Sequence, residues 1–103
     1  MLRANQTITD LNLRGNIFTD AAAEIICDAM RDNQTVTRLD MSHNEFGARA
    51  GTFIGQFLYS NFKLAYLDIS WNKLRGDGAK AIGTGLRDNA HLTQLNISWN
   101  ALD

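Results

Sequence analysis

The chain of 103 residues has no proline, so no Pro-rich linker divides it, and no composition break marks a domain boundary. A single cysteine, Cys27, cannot close an internal disulfide. No apolar run approaches the roughly 18 residues of a membrane span. Met1–Asn5 leads into polar residues rather than the apolar stretch of a secretory signal. A lone thiol without such a signal sets the expectation of a reducing, cytoplasmic location. Charge of neither sign dominates: the net charge is −1 and the pI near 6.0. No basic stripe is interleaved with aromatics, so neither nucleic acid nor a membrane is expected as partner.

Signatures of chemistry are equally scarce. Gly76-Asp77-Gly78-Ala79-Lys80 is glycine-rich but lacks the G-K-[ST] ending of a phosphate loop. His43 and His91 have no metal-like spacing to each other or to Cys27. No nucleophile, base and orienting group stand out as a set. Arg75-Gly76-Asp77 lies before a helix, where Gly and Asp are ordinary starters. The sequence therefore predicts no catalysis, cofactor or metal, and an unreactive Cys27 on a helix.

What the chain does have is repetition. Asn5, Asn33, Asn61 and Asn89 open the same phrase at a spacing of 28 residues. Counting from the first apolar residue, the first position is Ile8, Val36, Leu64 and Leu92, and the fourth is Leu11, Leu39, Leu67 and Leu95. The sixth is Leu13, Met41, Ile69 and Ile97, the ninth Asn16, Asn44, Asn72 and Asn100, and the eleventh Phe18, Phe46, Leu74 and Leu102. Leu11 and Leu13 alternate with Asp10, Asn12 and Arg14, the period of a strand with one wet face. Beyond the asparagine the period becomes helical: Ala23, Ile26 and Met30; Ile54 and Leu58; Ala79, Ile82 and Leu86. Each unit is thus a strand, a turn, a helix and a return loop, and units of this length bury their apolar faces only against one another.

The pattern L-x-x-L-x-L-x-x-N-x-L resembles the leucine-rich repeat family. The resemblance implies an α/β solenoid, a right-handed β-α superhelix with a parallel sheet inside and helices outside, of about three and a half 28-residue repeats. A period of 28 with a full helix is similar to the ribonuclease-inhibitor-like subclass, which includes the Ran GTPase-activating protein and intracellular innate-immune sensors. Two departures stand out. The Gly-Ala pair at the helix start is present as Gly78-Ala79 but reads Ala22-Ala23 and Ala50-Gly51 earlier, and the units do not alternate in type.

Residues 1–7 read as the tail of a preceding repeat, with repeats starting at 8, 36 and 64 and a partial repeat at 92–103. Residues 1–103 are therefore expected to be one leucine-rich repeat domain within a longer array. Self-association through uncapped ends is the alternative. Asn16, Asn44, Asn72 and Asn100 are structural: an amide can satisfy backbone groups where the chain leaves the sheet. The second set, from Asn5 to Asn89, is expected in the left-handed conformation that often ends a helix. Gly83 and Gly85 are expected to weaken the third helix by roughly 0.5–1 kcal/mol each.

On the wet strand face, candidate binding residues are Arg38, Asp40, His43, Tyr66, Asp68, Trp71, Gln94 and Trp99. Asp40 and Asp68 should be neighbours, either held as an acidic site for a basic partner or solvated and partly offset by Arg38. Trp71 and Trp99, one repeat apart, should stack at the strand exit and offer the large area of a hot spot. The function expected is a non-catalytic protein-protein interaction scaffold. A GTPase-activating regulator similar to the Ran-specific one, and a structural subunit of a cytoskeletal or ciliary assembly, are the alternatives.

Overall fold

The computed structural model describes residues 7–87, 89, 91–98 and 100. Three-residue strands β1 (Asp10–Asn12), β2 (Arg38–Asp40), β3 (Tyr66–Asp68) and β4 (Gln94–Asn96) alternate with helices α1 (Asp20–Asp32), α2 (Ala48–Ser60) and α3 (Arg75–Leu86). The sheet is parallel and runs in chain order. Its register is the repeat itself: Leu11 faces Leu39, Leu39 faces Leu67, and Leu67 faces Leu95. The chain is the α/β solenoid that its periodicity implies.

The core lies between sheet and helices. Leu39 and Leu67 of the strands, with Met41 and Ile69 just beyond them, form one core with Met30, Ile54, Phe57, Leu58 and Ile82 from the helices, all fully buried. Their counterparts in the first and last units, such as Leu11, Leu13, Leu95 and Ile97, are only partly buried. A unit is covered from both sides only when it has a neighbour on each.

Two ladders of asparagine side chains join the units. Asn44 Oδ1 accepts the backbone N–H of Asn16 (2.9 Å) and of Phe18 (3.0 Å) from the preceding unit. Its Nδ2 donates to Leu13 O of that unit (3.0 Å), and to Met41 O and Ser42 O of its own. Asn72 and Asn100 repeat the arrangement one and two units on.

The second ladder overturns an expectation. Asn33 and Asn61 are extended (φ −81° and −99°), not left-handed. Their side chains explain why these positions are asparagine. Asn61 Oδ1 accepts from Lys63 and Leu64 N–H, both at 2.9 Å, while Nδ2 reaches back to Met30 O at 2.7 Å. Asn89 does the same with His91, Leu92 and Leu58. Left-handed backbone occurs instead where the strands end, at Gly15, His43 and Trp71 (φ 70°, 56° and 57°), with Ile17 and Arg75 also at positive φ.

The glycines of the third helix differ from one another. A Cβ on Gly85 would collide with the Gly55 carbonyl, and one on Gly51 would stand 2.5 Å from Gly78 Cα. α2 and α3 therefore pack backbone to backbone, and Gly85 is required there. Gly83 faces open space. Gly83→Ala is expected to stabilise the fold by about 0.5–1 kcal/mol, whereas Gly85→Ala destabilises it, as chemical denaturation will show. Asn44→Ala strands several buried backbone groups at once and is expected to cost about 2–4 kcal/mol in the same measurement.

Candidate interaction surface

Because the register repeats, each strand position forms a row across the sheet. Asp10, Arg38, Tyr66 and Gln94 make the first wet row, and Asn12, Asp40, Asp68 and Asn96 the second. In the first row Arg38 is the tie. Its Nε stands 3.8 Å from Asp10 Oδ2, and its guanidinium lies 4.2 Å above the centre of the Tyr66 ring. Gln94 ends the row, exposed.

The second row differs from the solvated pair that was one of the two expectations. Asp40 and Asp68 are register partners, but neither is a freely solvated charge: Asp68 is 9% exposed and Asp40 half-buried. Asp40 Oδ1 accepts from the Ser42 hydroxyl at 2.6 Å and the Ser42 N–H at 2.9 Å. Asp68 binds Ser70, and Asn96 binds Ser98, in the same way. Arg38 is engaged with Asp10 and Tyr66 in the neighbouring row. Each carboxylate is thus engaged by the serine two residues on. The Tyr66 hydroxyl donates to Asp68 Oδ2 over a long 3.4 Å. Burial first, then the negative charge of Asp68 and Asp40, raises the Tyr66 pKa, so the phenol stays protonated.

A third lane runs along the strand exits. His43 and Trp71, both left-handed, stack with ring centres 5.4 Å apart and planes inclined by 16°. Arg14 Nη2 stands 3.2 Å from His43 Nε2, so three successive units contribute one side chain each. Trp71 remains 47% exposed. His43 is a ring partner of Trp71; the expected stacking with Trp99 involves a residue outside the described ones. The pairing of Arg14 with His43 was not anticipated, although both residues adjoin the strand exits in the sequence.

Two hollows flank these features. One, of about 240 Å³, lies between the first and second wet rows and is lined by Asp10, Leu11, Asn12, Arg38, Asp40 and Tyr66. The other, about 770 Å³, opens on the helical side over Gly55, Ala81 and Gly85, with Arg31, Gln56 and Tyr59 at its walls. The close helix packing that leaves glycine at its floor was not readable from one unit alone.

Among the described residues, no group of three His, Cys, Asp or Glu side chains could hold a metal ion, and no helix is long and apolar enough to cross a membrane. Cys27 is buried, and burial pushes its thiol pKa up to about 12 despite the opposing pull of Arg31.

Parallel strands in a continuous register, outer helices and amide ladders define a β-α solenoid. A model of the Leucine Rich repeat matches residues 4–27, 32–55, 60–83 and 88–103. The chain belongs to the leucine-rich repeat family. Among solved structures, leiomodin-1 actin-binding site 2 superposes with a TM-score of 0.89 at 20% identity, over 94% of this chain and 57% of that one. The chain thus spans little more than half of that structure, and at this identity the likeness speaks for the fold. No curated protein matches the chain.

At pH 8 the folded protein is expected to resist thiol-modifying reagents at Cys27 and to react fully once unfolded. The folded pKa lies above the ordinary 9.0, so the contribution of this thiol to stability is complete below pH 9 and is lost as pH rises toward 12. Reagent titration with and without denaturant measures both.

Proposed function

We propose that the chain is a non-catalytic protein-interaction module whose concave strand face and strand-exit lane receive a partner protein. The observation that carries this is the pair of pre-set stacks, Arg38 on Tyr66 and His43 against Trp71, on the sheet side of the solenoid. Aromatic and arginine side chains are enriched in binding hot spots, and side chains already held in place lose little freedom on binding. Four strands about 4.8 Å apart, counted over about five residues of each three-residue strand and its exit, give a patch of roughly 300 Å², against about 800 Å² per partner in a stable interface. Binding by these units alone is therefore weak, and full affinity draws on further units of an array. The 28-residue spacing and helices of 12 to 13 residues support the ribonuclease-inhibitor-like subclass. The lone buried thiol is in keeping with a reducing cytoplasm.

A second reading takes the partner to be actin, since the leiomodin-1 structure is of an actin-binding site. It rests on likeness of fold, and fold by itself does not specify a partner. Co-sedimentation with filamentous actin tests it directly.

The test of the main reading is a photo-crosslinking residue placed in turn at Gln94 on the sheet face and at Tyr59 on the helical face, with the captured protein identified and its binding then measured. Crosslinks from Gln94 are expected, and Trp71→Ala should weaken the captured partner by about 2 kcal/mol with the circular dichroism unchanged. Capture from Tyr59 alone, with Trp71→Ala binding normally, would move the interface to the helices.

A further inference from the structure

The hollow on the sheet face has a size that decides what can enter it. At about 240 Å³ it falls below the roughly 300–1,000 Å³ of small-molecule sites, and suits one long side chain from another protein. It is lined by members of the two wet rows and by Leu11 of β1. Asp10 and Asp40 face it against the single cation Arg38, and Asp68 stands beside Asp40 in the register. Acids alone would not mark a site, but the recess also holds a ring that already carries a guanidinium. Arg38 lies over Tyr66 at 4.2 Å, while its link to Asp10 is a loose 3.8 Å between side chains that are each more than half exposed. Such an exposed pair contributes little and opens readily. Asp40 Oδ1 is committed to Ser42, whereas Oδ2 has no hydrogen-bond partner among the described residues.

We propose that this recess accepts an arginine or lysine side chain from the partner protein, its charged head meeting Asp40 and its stem lying along Tyr66, with Arg38 as the internal occupant it displaces. This rests on the reading that the concave face binds protein. Arg38 bridges β1 to β3 across β2 and holds the Tyr66 ring ready. An incoming guanidinium offers the ring the same contact and adds charge-assisted hydrogen bonds to Asp40 Oδ2. An acidic side chain would meet Asp40 and Asp68 instead, and like charges that close repel.

The two polarities predict opposite mutational signs. Two probes are titrated into the isotope-labelled protein and followed by amide resonances: the blocked tripeptide acetyl-Gly-Arg-Gly-amide and its Glu counterpart. The Arg probe should shift amides at Asp10, Asn12, Asp40 and Tyr66, and the Glu probe should not. Asp40→Asn should weaken the Arg probe by about two- to fivefold, the scale of one exposed ion pair. Arg38→Gln should strengthen it by a similar factor, because the internal competitor is gone. If Arg38→Gln weakens binding, or the Glu probe shifts the same amides, the recess selects an anion and the proposal fails. No localised shift from either probe, in wild type or in Arg38→Gln, also overturns it. Crosslinks to a partner from Gln94 would still uphold the concave face in that case, which separates this inference from the reading beneath it.

Discussion

One carboxamide group, placed at the same point in every unit, sets what the rest of the molecule can be. Where the chain leaves each strand it must turn inside the solenoid, and the turn removes backbone N–H and C=O groups from the sheet. Leaving even one of those groups unsatisfied in the interior would cost about 1–3 kcal/mol. Asn44 Nδ2 donates within its own unit and to the unit before, and its Oδ1 accepts from that same earlier unit. The side chain is therefore a joint between units as well as a cap within one. A second amide at the helix end, seen at Asn61 and Asn89, joins the opposite side of the coil in the same manner. With a joint on each side, adjacent units have little freedom to slip, and the register of the sheet follows.

Register converts sequence columns into physical rows, and the rows divide the labour. The row of Asn12, Asp40, Asp68 and Asn96 bonds to the backbone or hydroxyl two residues on and helps to shape the strand exit. Its carboxylates spend much of their hydrogen bonding inside the chain. The row of Asp10, Arg38 and Tyr66 carries contacts that run from strand to strand and stay at the surface. Side chains that lie on a formed platform without supporting it are the ones free to exchange their contacts for those of a partner.

Much of this was legible in the sequence because it depends on local period. Alternation at Leu11 and Leu13, then helical spacing from Ala23 to Met30, place strand and helix without reference to any other unit. The ninth-position asparagine was legible for the same reason, as an amide at the only place where backbone leaves the sheet. What escaped depends on contacts between units. Asn33 and Asn61 could be left-handed by their type, but their side chains reach two and three residues ahead, and that geometry wants extended backbone. Gly83 and Gly85 look alike in one helix, yet only Gly85 lies against the Gly55 carbonyl of the preceding helix. The stack of Trp71 on His43 likewise joins two units and is not marked by the period of either.

The strand-exit lane joins the amide ladder to the exposed face of the sheet. His43 and Trp71 hold positive φ, a conformation that costs a residue with a Cβ on the order of 1–2 kcal/mol, and Gly15 occupies the same place in the first unit without that cost. Each strained residue immediately precedes a ladder asparagine, Asn44 or Asn72, whose amide donates to carbonyls of that same turn. The bonds that join the units also hold the backbone that aims these rings. Relaxing His43 or Trp71 to ordinary φ would swing the following asparagine away from both units it joins. The backbone under the stack is therefore tied to the solenoid, and on the proposed reading a partner would meet rings whose attachment points were set on folding.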